Sequence, residues 1–194
     1  MRKLRETTHR SHEIIDIVAD VARKTGEGLN IIFCCGGENT PASNPPINFI
    51  FGNAQYIKDR LEELSQSSTV EMPKFPLIAL FCPFSEQRGE ENYYGRASVT
   101  VLIACSTTRE LNNEQRREYS FVNILHPVYN RFISELEKDG RLEVPKGGIR
   151  HSVSENYSFG KYGAYTPAGE EVGEPIDAIM ITHLELKVRK QSCI

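Results

Sequence analysis

Two apolar stretches, "FPLIALFC" at 75–82 and "RASVTVLIAC" at 96–105, are separated only by the polar run "PFSEQRGEENYYG" at 83–95. The first is apolar at every alternate position on both sides, the pattern of a strand buried on both faces. In the second, Tyr93, Ala97, Val99, Val101, Ile103 and Cys105 form an apolar odd set, whereas Arg96, Ser98 and Thr100 are polar. Side chains alternate across a strand, so this one has a buried face and a partly wet one. The spacing predicts a long antiparallel hairpin with 83–95 as its tip. A third strand is expected at 176–188, "IDAIMITHLELKV". There the even positions Ile176, Ala178, Met180, Leu184, Leu186 and Val188 are apolar, and His183, Glu185 and Lys187 are not.

Helical periodicity appears in three places. Ile14, Ile15, Ile17, Val18 and Val21 predict an amphipathic helix over 8–24, ended by Gly26. Asn53 offers a cap to a helix whose Tyr56, Ile57, Arg60, Leu61 and Leu64 share a face. The longest spans 112–140, with Asn112 or Asn113 as cap, Asp139-Gly140 as stop, and a kink expected at Pro127. Its apolar stripe reads Tyr119, Val122, Leu125, Tyr129, Phe132 and Leu136. Short strands are expected at "LNIIFCC" and "INFIF", with a loop at "GGENTPASNPP" between them. The predicted fold is α+β: an antiparallel or mixed sheet with a long β-hairpin, flanked by two to three helices. One domain, 1–194, takes its core from 29–140 and 176–190. Residues 141–175 form an extended arm, because so long a stretch without periodicity exceeds an ordinary loop.

The chemistry-bearing residues are scattered. His9 and His12 lie on one helical face without a third metal ligand, and His126, His151 and His183 are isolated. Five cysteines, at 34, 35, 82, 105 and 193, contain no C-x-x-C and fit a reducing compartment. No nucleophile elbow, phosphate loop or dinucleotide fingerprint is present. Glu90 and Glu91 are adjacent on a turn, which sets no fixed separation for acid–base work. A net charge of -3 gives no general attraction to nucleic acid or anionic membrane. The N-terminal residues lack the apolar core of a secretion signal, and no apolar run reaches bilayer length. Arg109, Arg116 and Arg117 crowd a helix start, where their charge opposes the helix dipole; the first reading is a solvated face, and the second a contact for a partner's carboxylate. No catalytic, metal-binding or cofactor-binding residue and no cofactor is expected. Two extensions are left as contact surfaces: Glu86, Arg88, Glu90 and Glu91 on the hairpin tip, and Tyr157, Phe159, Tyr162 and Tyr165 on the arm.

The succession "INFIFGNAQYIKDRLEEL", "KFPLIALFCPF…YYGRASVTVLIACSTT", "EQRREYSFVNILHPVYNRFISEL" and "IDAIMITHLELKV" resembles the tail-terminator and tail-completion proteins of tailed bacteriophages. The resemblance covers roughly 47–188 without the arm. It implies a non-enzymatic virion protein, assembled in the bacterial host cytoplasm, that forms a ring, often hexameric, at the head-proximal end of the tail. Its implied partners are further copies of itself, the tail tube and the neck or connector proteins, with neither sequence-specific nucleic acid nor membrane involved. Two other classes fit the residues: a small cytosolic enzyme built around His126, Cys105 or His151, and an adaptor that binds a peptide at a sheet edge.

Overall fold

A computed structural model describes residues 12–35, 38–66, 74–89, 93–108, 110–159 and 175–190. The elements in order are α1 (Ile14–Thr25), β1 (Asn30–Cys35), β2 (Glu38–Ser43), β3 (Asn48–Gly52), α2 (Ala54–Gln66), β4 (Leu77–Phe81), β5 (Glu86–Arg88) and β6 (Tyr93–Ser106). Then come α3 (Asn113–Arg116), a π-helical stretch (Arg117–Leu125), α4 (His126–Lys138), β7 (Ser152–Phe159) and β8 (Ile176–Arg189). The fold is α+β. Among the described residues, no helix is long and apolar enough to cross a membrane.

The expected hairpin is present, with Leu77 paired to Ala104 and Leu80 to Val101. β8 lies antiparallel along the other side of β6. The six-stranded sheet runs β3-β4-β6-β8-β7, with β5 also on β6, and only β3 and β4 are parallel. One face carries α1, the π-helical stretch and α4 over Ile78, Leu80, Val99, Val101, Ile103, Leu184 and Leu186. The other carries α2, whose Ile57 meets Ile50, Leu77, Ala79, Leu102 and Ala104. Each fully buried Val, Leu or Ile side chain among these stabilises the fold by about 1.5–3 kcal/mol relative to exposure.

Several expectations need correction. The presumed loop after β1 contains β2, which pairs with β1 as a separate two-stranded sheet. Pro41 is tolerated there because a two-stranded ribbon consists of edges, where a missing donor costs little. The tip at 83–95 is shorter than predicted, since β5 continues the hairpin with Glu86 opposite Ala97. Between Leu80 and Glu86 the chain takes six steps against four from Val101 to Ala97, so two residues bow outward around Pro83. The polar residues that remain between β5 and β6, 90–92, lie outside the described residues.

The even positions of β8 do not share one face. Val99 pairs with Leu184 but Val101 with Ile181, so one extra residue of β8 is accommodated beside His183, whose φ is 53°. Such a bulge inverts the alternation. Ile179 and Ile181 therefore join the main core before it, and Leu184, Leu186 and Val188 join it afterwards. Ile176 and Ala178 sit under α2 instead.

The stripe of the long helix is also displaced. Asn112 caps it through a reciprocal bond pair with Gln115. From Arg117 to Leu125 it then winds as a π-helix, and the amide of His126 donates to Phe121 O. A proline ring collides with the carbonyl four residues earlier. Wider winding ahead of Pro127 draws that carbonyl away, so the chain continues into α4. The wider turn advances the buried face: Phe121, Ile124, Leu125 and Val128 are interior, whereas Val122 is 43 % exposed.

The first half of the presumed arm belongs to the core. Leu142 bridges to Val188, Leu142 and Ile149 are buried, and β7 pairs with β8 from Ser152 to Asn156. The remainder, 160–174, lies outside the described residues, as does the start of the predicted first helix at 8–11. Gly26 does end α1, but its φ of -72° is open to any residue. Close approach demands the glycine, since a Cβ would stand 2.2 Å from the Pro45 carbonyl oxygen.

Below α4, Arg141 is held by two hydrogen bonds to the Asp139 carboxylate, at 2.9 and 2.7 Å, and by Asp20 at 3.0 Å. Burial raises the Asp139 pKa, but the bonds and charge of Arg141 outweigh it and leave the group below its ordinary value. A depressed carboxyl contributes stability above its unfolded pKa and loses it as pH falls through the folded one. Stability should thus decline on acidification below about pH 4. Asp139→Asn should show a shallower decline in urea midpoints between pH 5 and pH 2 than the parent. Parallel declines would mean that Asp139 contributes nothing to acid sensitivity.

Candidate functional site

The hairpin end was the first predicted contact surface, and its described charges are tied to their own chain. Arg88 bonds Glu13 at 2.5 Å and Glu86 at 2.9 Å, and its guanidinium lies 4.9 Å from the Tyr94 ring centre. The Tyr94 hydroxyl donates to Glu13 at 2.7 Å. That bond, opposed by desolvation and reinforced by the bond and charge of Arg88, lowers the Glu13 pKa. Glu13 is the residue preceding the first turn of α1, where a carboxylate also meets the positive end of the helix. Glu86 and Arg88 thereby fasten the hairpin to the start of α1. Glu86 is held close by Gly95, at which a Cβ would fall 2.0 Å from its Oε1. Glu90 and Glu91 lie outside the described residues.

Among the described residues, α2 covers only one half of its side of the sheet. The other half is an open groove of about 640 Å³, walled by the outward bow at Pro83, Phe84 and Ser85. Its floor is Gln87, Arg96, Ser98, Thr100, Glu185 and Lys187. Arg96 and Lys187 are opposite one another in the ladder and both stand over the Tyr93 ring, at 4.6 and 5.8 Å. The Tyr93 hydroxyl donates to Glu143 at 2.6 Å. Two cations and two carboxylates therefore share this face, so it carries little net charge. Its polarity suits hydrogen bonding to a protein surface better than it suits an apolar ligand.

The predicted arm aromatics are split. Tyr157 is not the free anchor expected: its ring packs 4.3 Å from that of the buried Phe121, and its hydroxyl donates to Glu155 at 3.3 Å. Phe159 closes β7 opposite Ile176. Its side chain, like Tyr162 and Tyr165, lies outside the described residues.

His126, His151 and Cys105, around which an enzyme reading was built, each have partners within the fold. His126 Nε2 lies 2.6 Å from Glu155 Oε1, linking α4 to β7. His151 Nδ1 donates to Ile149 O at 2.7 Å, and its Nε2 is 2.7 Å from the Tyr129 hydroxyl. Cys105 is enclosed, and burial with the nearby Asp177 charge pushes its thiol up to about 12. A thiol with so high a pKa forms almost no thiolate at neutral pH. Among the described residues, no three His, Cys, Asp or Glu side chains converge on a metal position.

Sequence reasoning missed one buried cluster. Arg116 Nη1 bonds Asp177 at 3.1 Å, its Nη2 donates to Thr108 O at 2.7 Å and its Nε to Leu111 O at 3.0 Å. Ser120 donates to the other Asp177 oxygen at 2.7 Å. The expected solvated face is wrong for Arg116, which is buried on an internal carboxylate. For Arg116 the carboxylate is internal and sealed, while Arg109 lies outside the described residues. No family model and no curated protein matches the sequence.

Proposed function

We propose that this chain is a virion assembly protein of a tailed bacteriophage, a ring-forming tail terminator or a tail-completion protein of the neck. One observation carries the proposal. The order β3, α2, β4, long hairpin to β6, helix, and closing strand β8 beside β6 is the succession on which the resemblance rests. Supporting it, the open half of the sheet offers charged and hydroxyl groups of the kind found at the polar rim of an interface between proteins. Glu90 and Glu91, which lie between β5 and β6 in the sequence, would supply charges that meet a neighbouring copy or the tail tube.

A terminator must hold one partner and refuse further copies of itself, and charged turns can do both. Each exposed ion pair contributes about 0–1 kcal/mol, and a ring repeats it at every protomer. The test is charge reversal, Glu90→Lys with Glu91→Lys. Native mass should drop toward one copy, or tube capping should fail, with a stronger effect at low salt. Parent-like rings that cap tubes at both ionic strengths would remove the turn from the assembly surface. A parent chain that stays monomeric and never caps tubes would overturn the proposal itself.

A further inference from the structure

We propose that the two outer strands of the six-stranded sheet form one interface between copies of this chain, β7 of one copy pairing antiparallel with β3 of the next. The inference rests on the ring reading and supplies the contact that would build the ring.

Among the described residues, no strand pairs the outer side of β3 or of β7. Exposed edges template the addition of another chain, and proteins that remain single blunt them with lysine, proline or bulges. β3, "NFIFG", has no charge and no proline. β7, "SVSENYSF", has one charge, Glu155, which is drawn to His126. β3 is thus left fit for pairing, and so is β7 from Ser152 to Asn156, ahead of the irregularity that precedes Phe159.

Direction agrees. β3 is parallel to β4, and each step from β4 through β6 and β8 to β7 is antiparallel, so β3 and β7 run opposite ways. Copies placed side by side in the same orientation would meet as an antiparallel pair. Length agrees as well. β3 pairs over Asn48–Gly52, and β7 pairs without interruption from Ser152 to Asn156, five residues on each side.

Laying those runs in full antiparallel overlap sets Asn48 opposite Asn156 and Gly52 opposite Ser152. That brings Phe51 opposite Val153. These are the exposed large apolar side chains of this sheet among the described residues, at 47 % and 46 %. They also lie on the same face, because their ladder partners Leu80 and Ile181 both belong to the main core. Direct opposition requires a shared face, and overlap alone did not guarantee it. A contact of this kind is heterologous, so repeating it closes a ring where the rotation permits.

Cysteines placed at the two edges test the pairing. Phe51→Cys with Val153→Cys in one chain, treated with a short bis-maleimide that tolerates a slip of one or two rungs, should give a ladder of linked multimers. Either single variant should give no more linkage than the parent, whose own thiols set the background. Linked dimers from one single variant alone would overturn the pairing in favour of like edges meeting about a two-fold axis. An oligomeric native mass with no linkage in the double variant would overturn the edge contact while leaving the ring intact. A single-copy mass for the parent at every concentration would overturn both. Independently, Val153→Lys should reduce the native mass to one copy without moving the urea midpoint, and adding Phe51→Glu should restore it.

Discussion

Asp177→Ala should lower the unfolding free energy by about 3–5 kcal/mol, because it strands Arg116 as an uncompensated interior cation. For a domain of this size that corresponds to a Tm drop of roughly 6–20 °C. The side chains of Arg116 and Asp177 are only 6 % and 0 % exposed, so water cannot replace the lost partner. Ser120 loses its acceptor at the same time. Replacing both charges, Arg116→Met with Asp177→Leu, should recover part of the loss. The recovery stays incomplete because Thr108 O and Leu111 O also lose their donor. Urea titrations of the three variants decide the matter, and an Asp177→Ala chain within about 1 kcal/mol of the parent would show that the pair does not hold the fold.

Phe121→Ala should cost about 3–5 kcal/mol through the cavity it leaves. It should also loosen β7 ahead of the rest of the sheet, since the ring on which Tyr157 rests would be gone. Hydrogen exchange should report early loss of protection at 152–157. The neighbouring Val122→Ala is the informative control. Regular α-helical winding assigns Val122 to the core, whereas π winding turns it outward and brings Phe121 in. Val122→Ala should therefore change stability by no more than about 0.5 kcal/mol. If the two costs were reversed, the π-helical phase would be wrong.

What could be read from the sequence was what repeats with a short period. The alternation of β6 located the hairpin, the cap at Asn53 located α2, with the Tyr56 amide donating to Asn53 Oδ1 at 2.8 Å, and Asn112 located the long helix. Features that break a period were hidden. The bulge beside His183 divides a seemingly uniform even set between two cores, and the π winding moves the helix stripe off Val122. β2 was obscured by Pro41, which is costly only where a strand has neighbours on both sides. At the candidate site, a cluster of arginines read first as a solvated face, because Asp177, which buries Arg116, is 61 residues away in sequence. Likewise, nothing local to Glu86 and Arg88 foretold that Glu13, 75 residues before Arg88, would occupy them.

The rung between Phe159 and Ile176 clamps both ends of the stretch that joins β7 to β8. Closing a loop costs entropy that grows only logarithmically with its length, so doubling such a stretch costs about 0.6 kcal/mol. The sheet register is set by the strands on either side and is indifferent to how many residues pass between them. An affinity tag or a small fluorescent domain spliced in at this point should leave β7 and β8 in register. Inserts of graded bulk would then act as a ruler for how close any partner comes to that end of the strand pair.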